Sequence, residues 1–337
     1  MIRRAIFFLI LAVAGVSSPA RSQPAPVIRL AGGRTVEVLG LRRWTIAMIQ
    51  DSLRKYSPGD SLQNHACAAV LRYKLHFADA SSTTYEAEGH PNRVVVTVRE
   101  PQDSARVHLP ITRYDSTGGL PEWRQFVELE RRRPDIFYPA TQSFLFRTIG
   151  GSRSHRYSTQ GDSAQAERLV SFLRERRTTR DRRLALIVIS SDPNFGDRMI
   201  AALTLANFPA SDDAWRALVV ASREDGHLLA VASNTLSTLS AVPRRVDWRP
   251  IAGTIRLMLA GNGGLFGLPS VVRALNASGV GPRYAAPFLA GGAEMLVNYL
   301  DSSNEILSQP ARSLLIKLRG SDLGADSAKW RAWISTL

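Results

Sequence analysis

The second half of the chain repeats itself. From Asp181 onward nearly every stretch reads as helix, and turn-forming pairs interrupt it at Asp192-Pro193, Asp225-Gly226, Asn262-Gly263 and Asp301-Ser302, spaced 33, 37 and 39 residues apart. An apolar helical stretch precedes each break, at 184–189, 215–220, 251–259 and 295–300. After each break comes a helix with a small or β-branched residue four places before a leucine: Ala201/Leu205, Ala232/Leu236, Val271/Leu275 and Ala311/Leu315. A helix pair this short cannot bury its own apolar face, so self-similarity at this period predicts that neighbouring pairs stack. The small residue lets two helices approach, and the leucine fills the groove between them. The third unit departs most, because Gly263-Gly264, Gly267 and Pro269 loosen the pattern.

The period and the small-residue/leucine pairs resemble a HEAT-type array, an α-solenoid of about four helix pairs over residues 163–337. The segment 318–326, followed by Trp330-Arg331-Ala332-Trp333-Ile334, resembles the terminal cap of secreted HEAT proteins.

The first half is patterned differently. Thr35-Val36-Glu37-Val38-Leu39-Gly40 alternates apolar and polar residues and reads as a half-buried strand. Ile46, Ile49, Leu53 and Tyr56 fall on one helical face. Ser57-Pro58-Gly59-Asp60 is a turn by composition, and Ser61 is placed to cap a second helix with Leu62, Ala66, Ala69, Val70, Tyr73 and Phe77 on one face. Residues 83–88 read as a weaker strand, and 93–100 as a strong one, rich in β-branched residues and stopped by Pro101.

The order strand, helix, helix, strand, strand resembles the POTRA domain, a small periplasmic module found beside outer-membrane assembly and transport proteins. The likeness is carried by 36–40, Tyr56-Ser57-Pro58-Gly59, the second helix through Leu71 and Phe77, and 96–100. It departs in having one copy and no β-barrel after it. The resemblance implies that 94–98 lies inside the sheet and that Thr83, Thr84, Tyr85 and Glu86 lie at its edge. An edge strand offers backbone groups to an added strand, so these four are the candidate partner-binding residues of the first domain.

The expected fold is therefore an α+β N-terminal domain (33–112), a connecting helix and linker (113–162), and an all-α HEAT-like solenoid (163–337). Residues 107–111 could add a strand. A helical pattern runs from Pro121 to about Arg133, while Gly150-Gly151-Ser152-Arg153-Ser154 and 158–162 read as exposed linker. Asn234, Arg273 and Arg312 are the candidate surface residues of the solenoid.

Residues 1–22 read as a secretion signal: Arg3-Arg4, an apolar run over 5–16, and small residues at Ala20 and Ser22 before a cleavage point at Gln23. The run is too short to span hydrocarbon as a helix. The expected location is periplasmic or extracellular, with no transmembrane segment in the mature chain.

No reaction is legible. The six histidines show no metal-ligand spacing, and no Gly-x-Ser-x-Gly elbow or Walker-type phosphate loop occurs. The lone Cys67 excludes a disulfide scaffold and reads as a packed small hydrophobe. The formal charge is +14, and all but four of the 43 basic residues are arginine, scattered with short runs at Arg131–Arg133, Arg176-Arg177 and Arg182-Arg183. No basic tail or nucleic-acid module accompanies them. The function expected is a non-catalytic protein–protein scaffold of a bacterial cell envelope, without cofactor or metal and without a specific nucleic-acid partner. The alternatives are an envelope hydrolase with an unrecognised site, or a protein that binds an anionic polymer or lipid surface.

Overall fold

The computed structural model describes residues 25–30, 33–58, 61–64, 66–87, 90–107, 120–151, 155–224 and 226–337. The expected signal, its cleavage point and most of the expected strand at 107–111 lie outside the described residues.

A small α+β unit comes first: β1 (Val27–Arg29), β2 (Thr35–Leu39), α1 (Ile46–Tyr56), α2 (Ala66–Tyr73), β3 (Asp79–Ala87) and β4 (His90–Arg99). The sheet order is β1-β2-β4-β3, with β2 parallel to β4 and the other pairs antiparallel. The β-branched run of β4 takes an inner position and the hydroxyl-rich β3 an outer one. The strand β1, which sequence reading did not supply, adds to the free side of β2.

Side chains alternate across a strand. Val36, Val38, Val94, Val96 and Val98 therefore share one face, where they pack on Ile49, Leu53, Cys67 and Leu71. Leu39 and Val95, on the other face, belong to the core of the helical region. The sheet is thus covered on both sides.

The helix faces differ from expectation in phase. Asn64, and not Ser61, serves the start of α2, its Oδ1 accepting the Ala66 N–H at 3.0 Å. Burial then falls on Cys67 and Leu71, while Tyr73 is 64% exposed. Tyr56, at the end of α1, is likewise exposed.

Among the described residues thirteen further α-helices follow: α3 (Arg124–Arg132), α4 (Pro134–Thr148), α5 (Gln160–Glu175), α6 (Thr179–Ser191), α7 (Phe195–Thr204), α8 (Asp212–Ala221), α9 (Gly226–Leu239), α10 (Ala252–Leu259), α11 (Leu268–Ala277), α12 (Ala285–Leu289), α13 (Glu294–Leu300), α14 (Glu305–Arg319) and α15 (Ser327–Ile334). Among the described residues no helix is long and apolar enough to cross a membrane.

The four breaks separate α6 from α7, α8 from α9, α10 from α11 and α13 from α14. All eight residues of the small-residue/leucine pairs are fully buried. The second helices meet in sequence order, α7 on α9, α9 on α11 and α11 on α14. Among the first helices, α6 meets α8, α10 meets α13 and α13 meets α15.

The segment expected as linker is partly helix. Thr159 caps α5 through the Asp162 N–H at 3.1 Å, and buried Asp162 accepts from Ser158 and from Arg133 Nη1 at 2.9 Å. Polar composition there marks a cap, not a spacer. The glycines of the third unit do not loosen it. A Cβ on Gly264 or Gly267 would lie 2.9 or 2.5 Å from the Ser222 carbonyl oxygen, so they let this break pack onto the previous one. The closing helix repeats an earlier one. Trp215-Arg216-Ala217 in α8 returns as Trp330-Arg331-Ala332 in α15, and each indole donates to a carbonyl six residues upstream, of Pro209 and Gly324, at 2.9 Å.

Candidate functional site

The turns between paired helices all point at something within the chain. The first two face α3 and α4. Gly196 at the start of α7 sits where a Cβ would lie 2.3 Å from Val127 of α3, and His227 of α9 meets Glu130 and Tyr138. The last two turns face the sheet. Ser302 Oγ donates to Glu37 Oε2 and the Ser303 N–H to Glu37 Oε1, both at 2.7 Å. The Leu265 N–H donates to Asp79 Oδ2 at 3.2 Å. Arg99, 2% exposed, donates to Glu294 Oε2 at 2.8 Å and to Asn262 Oδ1 at 3.1 Å.

This junction holds polar and charged groups that the strand patterns present as solvent-facing. Glu37 and Thr97 are each 3% exposed. Beside them, Glu100 Oε1 accepts three consecutive backbone N–H groups, of Arg42, Arg43 and Trp44, at 2.7, 2.8 and 2.9 Å. Burial works to raise this carboxyl, and the three donors together with Gln102 outweigh it, holding Glu100 below the usual carboxylate range. A cavity of about 250 Å³ opens next to it, lined by Arg42, Arg43, Gln102, Asp103 and Arg106.

The candidate residues of the two halves partly converge. Thr83 and Tyr85 alternate with Thr84, which pairs with Val94 of the α1/α2 face. Tyr85 packs against the helical core and lies within electrostatic reach of Arg273 of α11. Burial pushes the Tyr85 hydroxyl up to about 12, with Arg273 opposing. Arg273 is pulled below its ordinary value by burial, and its Nη2 donates to Ser237 and Ser270 hydroxyls at 3.2 and 3.3 Å. Tyr85 and Arg273, expected on two separate binding surfaces, therefore form part of one internal contact. Asn234 is exposed on α9, two residues after its small residue, whereas Arg273, at the same offset on α11, is half-buried. Arg312 is paired with Asp322 at 2.6 Å. The Glu86 side chain lies outside the described residues.

Sequence reading missed the Glu130, Tyr138 and His227 cluster. Glu130 Oε1 accepts from the Tyr138 hydroxyl at 3.0 Å and bonds His227 Nδ1 at 2.7 Å. That bond raises the imidazole against the opposing effect of burial and lowers the carboxylate. A raised folded-state value means stabilisation fully present below the ordinary imidazole pKa and lost as pH rises through the raised one. In Glu130→Gln the His227 titration followed by NMR is expected to move to lower pH. An unmoved titration would show that Glu130 does not hold the proton.

Among the described residues no three His, Cys, Asp or Glu side chains gather as a metal site. Comparison with protein-family models, with curated proteins and with solved structures returns no match.

Proposed function

We propose that this protein is a secreted, non-catalytic protein-binding scaffold of a cell envelope, in which a POTRA-like unit is fixed to a HEAT-like solenoid. The observation that carries the reading is the stacking of α7, α9, α11 and α14 in sequence order, with every small-residue/leucine pair sealed inside. Helix pairs stacked in this way make a long continuous surface without a deep cleft, the architecture of proteins that hold other proteins. The outer position of β3 supports strand addition as a second mode of docking.

The test uses the purified full-length chain with a photoreactive residue at Asn234 or at Thr83, illuminated in envelope extract. Discrete protein adducts, identified by mass and lost when unlabelled wild-type chain competes, are the expected result. Absence of adducts at both positions overturns the reading. So does a hydrolytic turnover of envelope polymer that one point substitution abolishes.

A further inference from the structure

We propose that the corner between the end of α5 and the start of α6 is a docking face for an anionic lipid surface. This rests on observations separate from the scaffold reading.

The corner concentrates unneutralised charge. Residues 174–183 hold six arginines and two acids. Asp181 is committed to the Thr178 capping box and lies 3.8 Å from Arg176, whose guanidinium sits 4.3 Å from the Phe172 ring centroid. The other five, Arg174, Arg177, Arg180, Arg182 and Arg183, have no carboxylate within ion-pair distance among the described residues. Elsewhere Arg133 is answered by Asp135 and Asp162, Arg244 by Asp212, Arg249 by Asp247 and Arg312 by Asp322. Arginines with no carboxylate within ion-pair distance among the described residues, such as Arg29, Arg34 and Arg256, are dispersed along the chain.

The loop that carries these groups is fixed. Asn207 Nδ2 donates to the carbonyls of Leu173 and Arg176, at 2.7 and 3.0 Å, so the turn between the helices needs no ordering on binding.

What selects a lipid surface over a soluble polyanion is the apolar continuation. On α6 the residues Arg180, Arg183 and Ile187 follow at i, i+3 and i+7 and share one face, and Ile187 is 62% exposed. Val220, which stands five residues before its break as Ile187 does, is 40% exposed on α8, the helix that packs against α6. Guanidinium groups at phosphate level with an aliphatic side chain beyond them match the boundary of headgroups and acyl chains. A soluble polyanion gains nothing from Ile187.

The experiment is co-sedimentation of the full chain with vesicles of phosphatidylglycerol and phosphatidylcholine, and with vesicles of phosphatidylcholine alone. Binding is expected only to the anionic vesicles and is expected to weaken as salt rises. Arg177→Glu with Arg180→Glu and Arg183→Glu is expected to lower affinity by about a hundredfold or more. The equal charge change Arg29→Glu with Arg34→Glu and Arg256→Glu is expected to have a far smaller effect. Ile187→Ser is expected to weaken binding several-fold at unchanged charge, with an unchanged circular dichroism spectrum for every variant. Equal loss in both triple variants would mean diffuse net charge and overturns the proposal. So does equal binding to both vesicle types or to neither. Full binding by Ile187→Ser, with polyphosphate competing, would assign the corner to a soluble polyanion instead.

Discussion

Glu224→Ala is expected to lower the stability of the chain by about 3–5 kcal/mol, read as a fall in the urea midpoint at unchanged slope. Glu224 and Arg198 are a buried pair, each side chain 7% exposed. Arg198 Nη1 donates to Glu224 Oε2 at 2.6 Å, Nη2 donates to Oε1, and Nε donates to the Ile189 carbonyl at 2.9 Å. The guanidinium thus ties the end of α6, the helix α7 and the turn after α8 to one another. Removing the carboxylate leaves a cation in a space that water does not reach, and that penalty sets the size of the effect. The joint replacement Arg198→Met with Glu224→Leu removes both charges and is expected to cost far less. A single substitution that costs less than about 1 kcal/mol would mean that the site hydrates when opened.

Gly40→Ala is expected to cost about 3 kcal/mol or more, because backbone strain and a steric clash fall on one atom. Gly40 ends β2 with φ +93°, and an added Cβ would lie 2.2 Å from the Val98 carbonyl oxygen and 3.3 Å from Met295 Cε. The first neighbour is backbone of the central strand β4 and has no rotamer by which to withdraw. The second is the α13 side chain against which the sheet docks. Faster amide hydrogen exchange along β2 and β4, with the exchange of α7 and α9 unchanged, is the expected signature. Wild-type exchange in β2 and β4 would show that the turn relaxes at no cost.

The buried faces of the helical half are legible because their signal is local. Ala232 and Leu236, or Val271 and Leu275, declare a buried face within four residues, and all are buried. The valines of β2 and β4 declare theirs by alternation. Glu37, Thr97 and Arg99 carried no such information. A polar residue at every second position looks the same whether the face meets water or a polar docking surface, and their partners Ser302, Ser303 and Glu294 lie about two hundred residues or more away.

Two other misses have different causes. Helix α4 was not read because Pro134 and Pro139 both stand in it, although the first occupies the N-terminal position where proline costs no hydrogen bond. From sequence, Tyr85 and Arg273 each read as surface residues of separate domains. Their shared burial is a property of the docked pair. The recurrence of Trp-Arg-Ala at 215 and 330 is a signal within the sequence that aligns α15 with α8.

The bond between Glu37 and Ser302 spans 265 residues, and this has a consequence for how the chain survives its own synthesis. A chain made from its N-terminus completes the sheet long before α13 and α14 exist to cover it. Through that interval the face bearing Glu37, Thr97 and Arg99 stands in water. Had it been valine, like the opposite face, it would be a bare apolar sheet awaiting a cover, the kind of surface on which incomplete chains aggregate. Charge and hydroxyl groups let it wait hydrated, and the late helices then replace that water with donors and acceptors of their own. The polar lining of the junction sacrifices some final stability for a safe interval before closure, and closure is set by the last helices to emerge.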